Sequence, residues 1–168
     1  MARSPADAAD AAACAGSAVI SSCGRYRYAL WRRWGPGTTA MLIGLNPSTA
    51  DHERDDATIR RCIRFAHSWG HGALCMVNLF GFRATQVTAM KAAPDPVGPD
   101  NDRWLIALAP AAAVIVAAWG NQGGHLQRDR AVQRLLPPLQ RLRLTQRGFP
   151  AHPLYLPAGL RPCPWLQP

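Results

Sequence analysis

The chain has 168 residues, of which 48% are hydrophobic, and this length suits one compact domain with a sizeable core. No stretch approaches the roughly 18 uninterrupted apolar residues of a membrane-spanning helix, which argues against a membrane protein. Nineteen basic residues against ten acidic ones give a net charge of +9, and this excess favours a polyanionic partner such as nucleic acid. Lys91 is the only lysine, however, so an arginine-rich composition explains the charge equally well.

The five cysteines are odd in number and include no Cys-x-x-Cys pair. Neither a disulfide framework nor a zinc or iron–sulfur site is therefore indicated, and reduced thiols favour a cytoplasmic location. Residues 1–16 are rich in alanine and lack the basic start of a secretory signal. We interpret them as a flexible leader that precedes a single domain over residues 17–168.

Hydrophobic periodicity predicts strands that alternate with helices along the chain. In chain order, the expected elements are strand 25–34, strand 39–45, helix 55–69, strand 73–80, helix 99–108, strand 113–118, helix 124–136 and strand 141–145. This alternation predicts an α/β fold with three layers, α/β/α, in which helices cover both faces of a central, mostly parallel sheet of four to five strands.

Polar residues or a Trp-Gly pair follow three of the buried strands. Asn46 comes after the second predicted strand, Asn78 lies near the end of the third, and Trp119–Gly120 follows the fourth. Ligands of parallel sheets bind beyond the carboxyl ends of the strands. We therefore expect these residues to share one rim.

The first candidate motif is GLNPST over residues 44–49. Pro47 lacks an N–H group and disfavours a helical conformation for Asn46, so the chain must turn there. A side-chain amide held on this turn can fix a water molecule or a carbonyl group. An ordinary Asn-Pro turn without a function fits the same residues.

The second motif is MVNLF over residues 76–80. An asparagine at the end of an apolar strand is costly to bury unless its amide is paired. The carboxamide of Asn78 offers both a donor and an acceptor, which match the O4 and N3–H edge of a uracil-like ring. The alternative is an asparagine that caps its own loop.

The third motif is AHPLYLP over residues 151–157. Its prolines stiffen a short loop that presents His152 and bulky apolar side chains, and such a loop suits insertion into a stack of bases. His152 can donate a hydrogen bond to an oxygen that gains negative charge as a bond breaks. A C-terminal segment that packs on the core is the alternative.

Charged residues around the predicted helix 55–69 each allow two interpretations. Asp51 precedes the helix, where a carboxylate favours the helix dipole, or it helps to activate a water molecule near Asn46. Arg60, Arg61 and Arg64 form a basic patch that suits phosphate, although a solvated helix face is equally consistent. The histidines outside the third motif lack the spacing of a metal site, so no metal is expected.

The three motifs and the Trp-Gly pair occur in the order found in a known enzyme superfamily. This order is a strand-end Gly-x-Asn-Pro, an apolar strand that ends in Asn, a strand followed by Trp-Gly, and a late His-Pro loop. Over residues 25–165 the chain resembles the uracil-DNA glycosylase superfamily, and it looks most like the single-strand-selective and mismatch-specific branches, which use Asn in the first motif. The strings GLNPSTAD, DDATIRRC, VNLFGFRAT and AAWGNQG are also similar to an uncharacterised bacterial and phage family classed as a domain of unknown function.

The resemblance implies a uracil-DNA glycosylase-like fold and a monofunctional DNA glycosylase, which hydrolyses the N-glycosidic bond of uracil or a related base flipped out of DNA. By this resemblance, Asn46 would position the attacking water and Asn78 would read the edge of the base. His152 would stabilise the base as it leaves as an anion. The reaction would need no metal or organic cofactor. The implied setting is a monomer of bacterial or phage origin that binds DNA, is located in the cytoplasm and is associated with the nucleoid.

The resemblance also implies contacts around these three residues. Leu45, Pro47 and Ser48 would take part in substrate binding, and the small Ser48 would admit a pyrimidine with a substituent at C5. Residues 51–62 contain no Phe, Tyr or Trp to stack on the base, so Phe80, Phe82 or Trp69 would take this role. The implied DNA contacts are Leu154 and Tyr155 as a wedge, Arg60 and Arg61 at phosphate, and Gln122 at the DNA backbone.

Two other functions fit the same sequence. One is an enzyme of this superfamily that acts on a modified pyrimidine in phage DNA or on a free nucleotide. The other is a non-catalytic module that senses flipped or damaged bases. Activity on a mononucleotide alone would favour the first. DNA binding that survives Asn46→Ala and His152→Ala, with no product from the wild type, would favour the second.

Overall fold

The computed structural model describes residues 15–166, which form an α/β fold around one seven-stranded sheet. The strands are β1 (Gly16–Ile20), β2 (Arg27–Arg33), β3 (Thr39–Gly44), β4 (Ala73–Asn78), β5 (Ala112–Ala117), β6 (Gln140–Arg141) and β7 (Cys163–Pro164). The helices are α1 (Ala57–Ser68), α2 (Val87–Ala92), α3 (Asn101–Leu108) and α4 (Arg128–Leu135), and short 3-10 helices span Ala109–Ala111, Asn121–Gln127 and Pro153–Tyr155.

The sheet is mixed and has the order β1-β2-β4-β3-β5-β6-β7. Its four central strands, β4, β3, β5 and β6, run parallel, whereas β1, β2 and β7 join by antiparallel pairing. The prediction of four to five mostly parallel strands is therefore wrong, because three of the six pairings are antiparallel. The sequence pattern does not predict β1 and β7, since these edge strands span only five and two residues.

Three other elements differ from the sequence prediction. The predicted helix 124–136 begins only at Arg128, because Leu126 and Gln127 have φ angles of 53° and 52° in the left-handed region. The last predicted strand is reduced to β6, and α2 was not predicted. Most of the predicted leader lies outside the described residues, and β1 already begins at Gly16.

The hydrophobic core has two halves because successive side chains of a strand point to opposite faces of the sheet. On one face, α1 packs Ile59 and Phe65 against strand residues that include Leu42 and Met76. On the other face, helices α2, α3 and α4 pack against alternate strand residues such as Ile43. Helices therefore cover both faces of the sheet. None of the helices within residues 15–166 has the length and hydropathy needed to cross a membrane.

The carboxyl ends of β3, β4 and β5 lie level with one another. Gly44 of β3 is in register with Asn78 of β4, and the N–H of Ala118 donates to the carbonyl oxygen of Ile43 at 2.9 Å. The residues that follow these strands consequently meet at one edge of the sheet.

Candidate active site

A cavity of about 350 Å³ opens at this edge of the sheet, and we call it the strand-end cavity. This volume lies within the range of small-molecule sites. The cavity brings together residues from all three sequence motifs, which are far apart along the chain. Six of the predicted site residues line it: Leu45, Asn46, Ser48, Asn78, His152 and Tyr155.

Asn46 offers a hydrogen-bond acceptor to the cavity. Its Nδ2 atom donates to the main-chain oxygens of Pro47, at 3.0 Å, and Ala84, at 2.8 Å. Two acceptors beside one amide atom identify that atom as the nitrogen and occupy both of its protons. Oδ1 accepts no hydrogen bond from the described residues. The loop therefore fixes the amide in an orientation that can hold a water molecule through Oδ1.

Asn78 is buried, yet its side-chain amide is not satisfied within the described part of the chain. The residue is 1% exposed, and its Nδ2 atom has no hydrogen-bond partner. A Cβ atom on Gly44 would lie 2.8 Å from Oδ1 of Asn78, so glycine is needed there for the amide to reach this position. Buried amides in folded proteins are nearly always hydrogen-bonded. This amide is therefore suited to an occupant of the cavity.

The main chain of Asn78 is fixed from the other face of the sheet. The Nδ2 atom of Asn101 donates to the carbonyl oxygens of Asn78 and Leu79, each at 3.0 Å. Arg128 donates from Nε to the Leu79 carbonyl at 2.8 Å and is ion-paired with Asp102. These bonds hold the main chain at the end of β4, whereas the Nδ2 atom of Asn78 has no hydrogen-bond partner within residues 15–166.

His152 is held as a neutral hydrogen-bond donor. Its Nδ1 atom accepts from the N–H of Leu154 at 3.3 Å, which places the proton of the neutral ring on Nε2. Burial lowers the pKa of His152 below its ordinary value, while the negative charge of Asp56 acts in the opposite direction. Gly120, with a φ of 72°, supports the loop by donating from its N–H to the Pro150 carbonyl at 2.8 Å.

Arg27 and Asp56 also line the cavity. Neither of these charged residues was assigned to the site from the sequence. Asp56 caps α1, since its Oδ1 atom accepts from the N–H of Ile59 at 2.9 Å. Asp56 follows Asp51, Glu53 and Asp55 in the sequence, and nothing in this acidic run distinguishes it. Arg27 lies near the start of a strand, where its exposure cannot be inferred from alternation alone. Trp119, predicted to support the rim, also lines the cavity.

Other predicted residues do not line the cavity. Pro47 is buried, although its carbonyl oxygen orients Asn46. Phe80 is completely buried, with its ring centroid 5.6 Å from that of His125, so it is not placed to stack on an occupant. Leu154 is half-buried, whereas Tyr155 is 85% exposed beside His152.

The predicted DNA contacts on α1 and beyond β5 lie outside the cavity as well. Arg60 is exposed and donates to the carbonyl oxygen of Asp55 at 2.7 Å. Arg61 donates to the Leu156 carbonyl and thereby ties α1 to the His152 loop. The Oε1 atom of Gln122 accepts from Nζ of Lys91 at 2.5 Å.

Asp51, the carboxylate considered for water activation, instead organises its own loop. Its Oδ1 atom accepts from the N–H groups of Glu53, at 2.9 Å, and Arg54, at 2.8 Å, and these bonds lower the pKa of Asp51. It does not line the strand-end cavity. Within residues 15–166, no cluster of three or more His, Cys, Asp or Glu side chains could hold a metal ion.

Comparison with protein-family models matches residues 27–154 to a family described as "Protein of unknown function (DUF1643)". Searches of curated proteins and of solved structures found no match. The matched segment covers more than half of the chain and contains Asn46, Asn78 and His152. The chain therefore belongs to the DUF1643 family of unknown function.

Proposed function

We propose that the chain is a monofunctional DNA glycosylase, which hydrolyses the N-glycosidic bond of uracil or a related deaminated or modified base flipped out of DNA. One observation carries this proposal. The strand-end cavity holds an oriented acceptor on Asn46, an unsatisfied buried amide on Asn78 and a neutral donor on His152. These are the groups that water placement, base recognition and leaving-group stabilisation require.

In this reaction a water molecule replaces the base on the sugar. Oδ1 of Asn46 accepts a hydrogen bond from the water and aims its oxygen at C1′. The bond between C1′ and the base nitrogen breaks, and its electron pair leaves with the base. Nε2–H of His152 donates to the base oxygen that gains this charge, which is where a fixed donor lowers the barrier most. The water oxygen bonds to C1′, and its proton passes to solvent.

Asp56 supplies negative charge to the same cavity. The sugar becomes positively charged as the base departs, and a carboxylate in a partly enclosed site favours that charge. The Oδ1 atom of Asp56 is held by the N–H of Ile59 at 2.9 Å, so the position of the carboxylate is fixed before the substrate arrives.

Asn78 matches the edge of a pyrimidine base. Its free Nδ2 can donate to O4, and its Oδ1 can accept from N3–H. Only a flipped-out base can present this edge to a cavity at the end of a sheet, because the edge is paired inside a duplex. At the mouth, the exposed ring of Tyr155 is available to fill the space that the flipped nucleotide leaves.

Base release from oligonucleotides tests the proposal. Single- and double-stranded oligonucleotides that contain uracil, hypoxanthine or 5-hydroxymethyluracil are incubated with the protein and then treated with alkali, and a free mononucleotide serves as a further substrate. We expect strand cleavage on at least one oligonucleotide. Asn46→Ala should lower the rate by about 100-fold or more.

Asn121→Ala is the matched control, because Asn121 is exposed and does not line the strand-end cavity. Its rate should stay close to that of the wild type. No release from any oligonucleotide, or equal rates for Asn46→Ala and the wild type, would contradict the proposal. Release from the mononucleotide alone would reassign the site to a nucleotide hydrolase.

A further inference from the structure

A buried arginine lines the strand-end cavity without a role in the mechanism above. Arg27 is 2% exposed, and its Nη1 atom donates to the carbonyl oxygen of Ala50 at 2.7 Å. Within residues 15–166, no other side-chain hydrogen bond and no carboxylate ion pair engages its guanidinium, and Nε is buried without a partner. A buried guanidinium with unused donors is costly unless an anion meets it.

A β-bulge determines the direction of this side chain. Strand β1 pairs Val19 with Ala29 and Ile20 with Arg27, so Tyr28 is an extra residue without a partner. Tyr28 and Ala29 consequently pack into the same half of the core, and Arg27 faces the other half, where it meets Ala50. Bulges next to functional sites commonly re-aim a side chain in this way.

Arg27 brings a positive charge to the cavity at neutral pH. Burial lowers the pKa of Arg27 to about 10, while the nearby charge of Asp56 acts in the opposite direction, and the guanidinium stays protonated. Asp56 lines the same cavity but forms no ion pair with Arg27, and its carboxylate is engaged at the start of α1. Burial keeps His152 neutral, as described above. The charge of Arg27 is therefore available to an occupant.

We propose that the strand-end cavity takes a base that carries an acidic group, and that the anionic oxygens of this group bind Arg27. The inference rests on the proposed function of the same site. A planar guanidinium forms charge-assisted hydrogen bonds with a carboxylate, and within residues 15–166 neither Nε nor Nη2 of Arg27 has a partner. Asn78 reads the remainder of the ring through its free Nδ2.

The depth of Arg27 assigns the acidic group to the base and not to the DNA backbone. Arg27 is 2% exposed, whereas the phosphates of a continuous strand remain at the surface when a base is flipped. Of the groups on a nucleotide in DNA, only a substituent of the base reaches this depth. A pyrimidine with a carboxylate at the ring edge is the matching chemical class.

Calorimetric titration of free compounds into the intact protein tests this inference. The probes are 5-carboxyuracil, its neutral isostere uracil-5-carboxamide, and inorganic phosphate. The wild type should bind 5-carboxyuracil about tenfold or more tightly than the carboxamide, because hydrogen bonds between charged groups are stronger than neutral ones. Arg27→Gln should reduce this preference to about twofold or less.

Arg83→Gln is the matched control. It removes a positive charge that acts on Arg27, yet Arg83 does not line the cavity, so the preference should persist. If Arg27→Gln does not melt cooperatively, Arg27→Lys decides: a reduced preference supports paired bonding by arginine, and an unchanged preference contradicts it.

Equal affinities of the wild type for 5-carboxyuracil and the carboxamide would overturn the inference, as would a preference that survives Arg27→Gln. Phosphate binding that depends on Arg27, without binding of 5-carboxyuracil, would assign the arginine to a nucleotide phosphate and would also overturn it. Binding of a free base requires no bond cleavage. An Arg27-dependent preference without any base release would therefore contradict the glycosylase proposal alone.

Discussion

Strand β2 carries a buried arginine near each end, and the two differ in what surrounds them. Arg32 is 9% exposed, and each nitrogen of its guanidinium is engaged: Nε with Asp55 at 2.8 Å, and the others with main-chain oxygens that include Asp51 at 2.6 Å. Arg27 is 2% exposed, and within the described residues its guanidinium makes one hydrogen bond, to the carbonyl oxygen of Ala50. The guanidinium nitrogens of Arg32 are thus all engaged, whereas most of the hydrogen-bond donors of Arg27 have no partner among the described residues.

This contrast distinguishes polar groups that stabilise the fold from polar groups that are placed to bind a ligand. Arg32 fixes the loop between β3 and α1, so its burial is balanced inside the chain. Arg27 and Asn78 are buried beside a cavity with donors left over, which lowers stability unless something binds there. We infer that substitutions near Arg32 act on folding, whereas those in the cavity act on function.

The largest effect should come from Asn78→Leu, which keeps the size of the side chain and removes its amide. Base release should fall by about 100-fold or more, because the edge of the base loses its polar partner. The free energy of unfolding should stay the same or rise, since the Nδ2 of Asn78 has no partner to lose. Release assays and urea denaturation of one preparation measure both quantities. A marked decrease in the free energy of unfolding of Asn78→Leu would contradict the distinction between stabilising and ligand-binding polar groups.

The two arginines can be compared directly by the same substitution. Arg32→Met should lower the free energy of unfolding by about 3 kcal/mol, because it removes a buried guanidinium together with its ion pair to Asp55 and its hydrogen bonds to main-chain oxygens. Arg27→Met should change it by less than about 1 kcal/mol, since a buried unpaired charge is replaced by an apolar side chain. Urea denaturation curves of the two variants provide the measurement. Similar losses for both would contradict the distinction.

A smaller effect is expected on the pH dependence of the free energy of unfolding, to which His152 contributes. Its pKa in the folded chain is lowered by burial from the ordinary 6.5, so the unfolded chain binds the proton more readily. The contribution of the neutral His152 ring to the free energy of unfolding is present above pH 6.5. This contribution is lost as the pH falls through the pKa of His152 in the folded chain. The difference in unfolding free energy between the wild type and His152→Ala should therefore shrink on acidification. A difference that is constant or grows below pH 6.5 would show that His152 is not buried as a neutral ring.

Much of the central fold follows from periodicity. Strands β3, β4 and β5 and helix α1 have continuous apolar runs or a clear apolar face, and their predicted positions agree closely with the structure. The shared rim at the strand ends could be predicted because the carboxyl ends of parallel strands lie at one edge of the sheet. Asn46 and Asn78 meet there for this reason, and His152 joins them through a loop whose path the sequence does not specify.

What could not be predicted depends on pairing between distant segments. The bulge at Tyr28 changes the face of Arg27, and a one-residue shift of this kind is invisible in the sequence of a single strand. Phe80 looked available for stacking, but the main chain after β4 turns it into the core. Short edge strands such as β7 take their structure from their neighbours.

Base flipping is the most direct test of the claim that the strand-end cavity receives a base from DNA. Asn46→Ala should bind with strongly reduced turnover, so it can be titrated with oligonucleotides in which 2-aminopurine lies next to uracil or next to 5-carboxyuracil. We predict a saturable rise in 2-aminopurine fluorescence with at least one of these bases and none with cytosine, because extrusion unstacks the neighbour. Unchanged fluorescence with every base, under conditions where the protein binds the oligonucleotide, would contradict the claim.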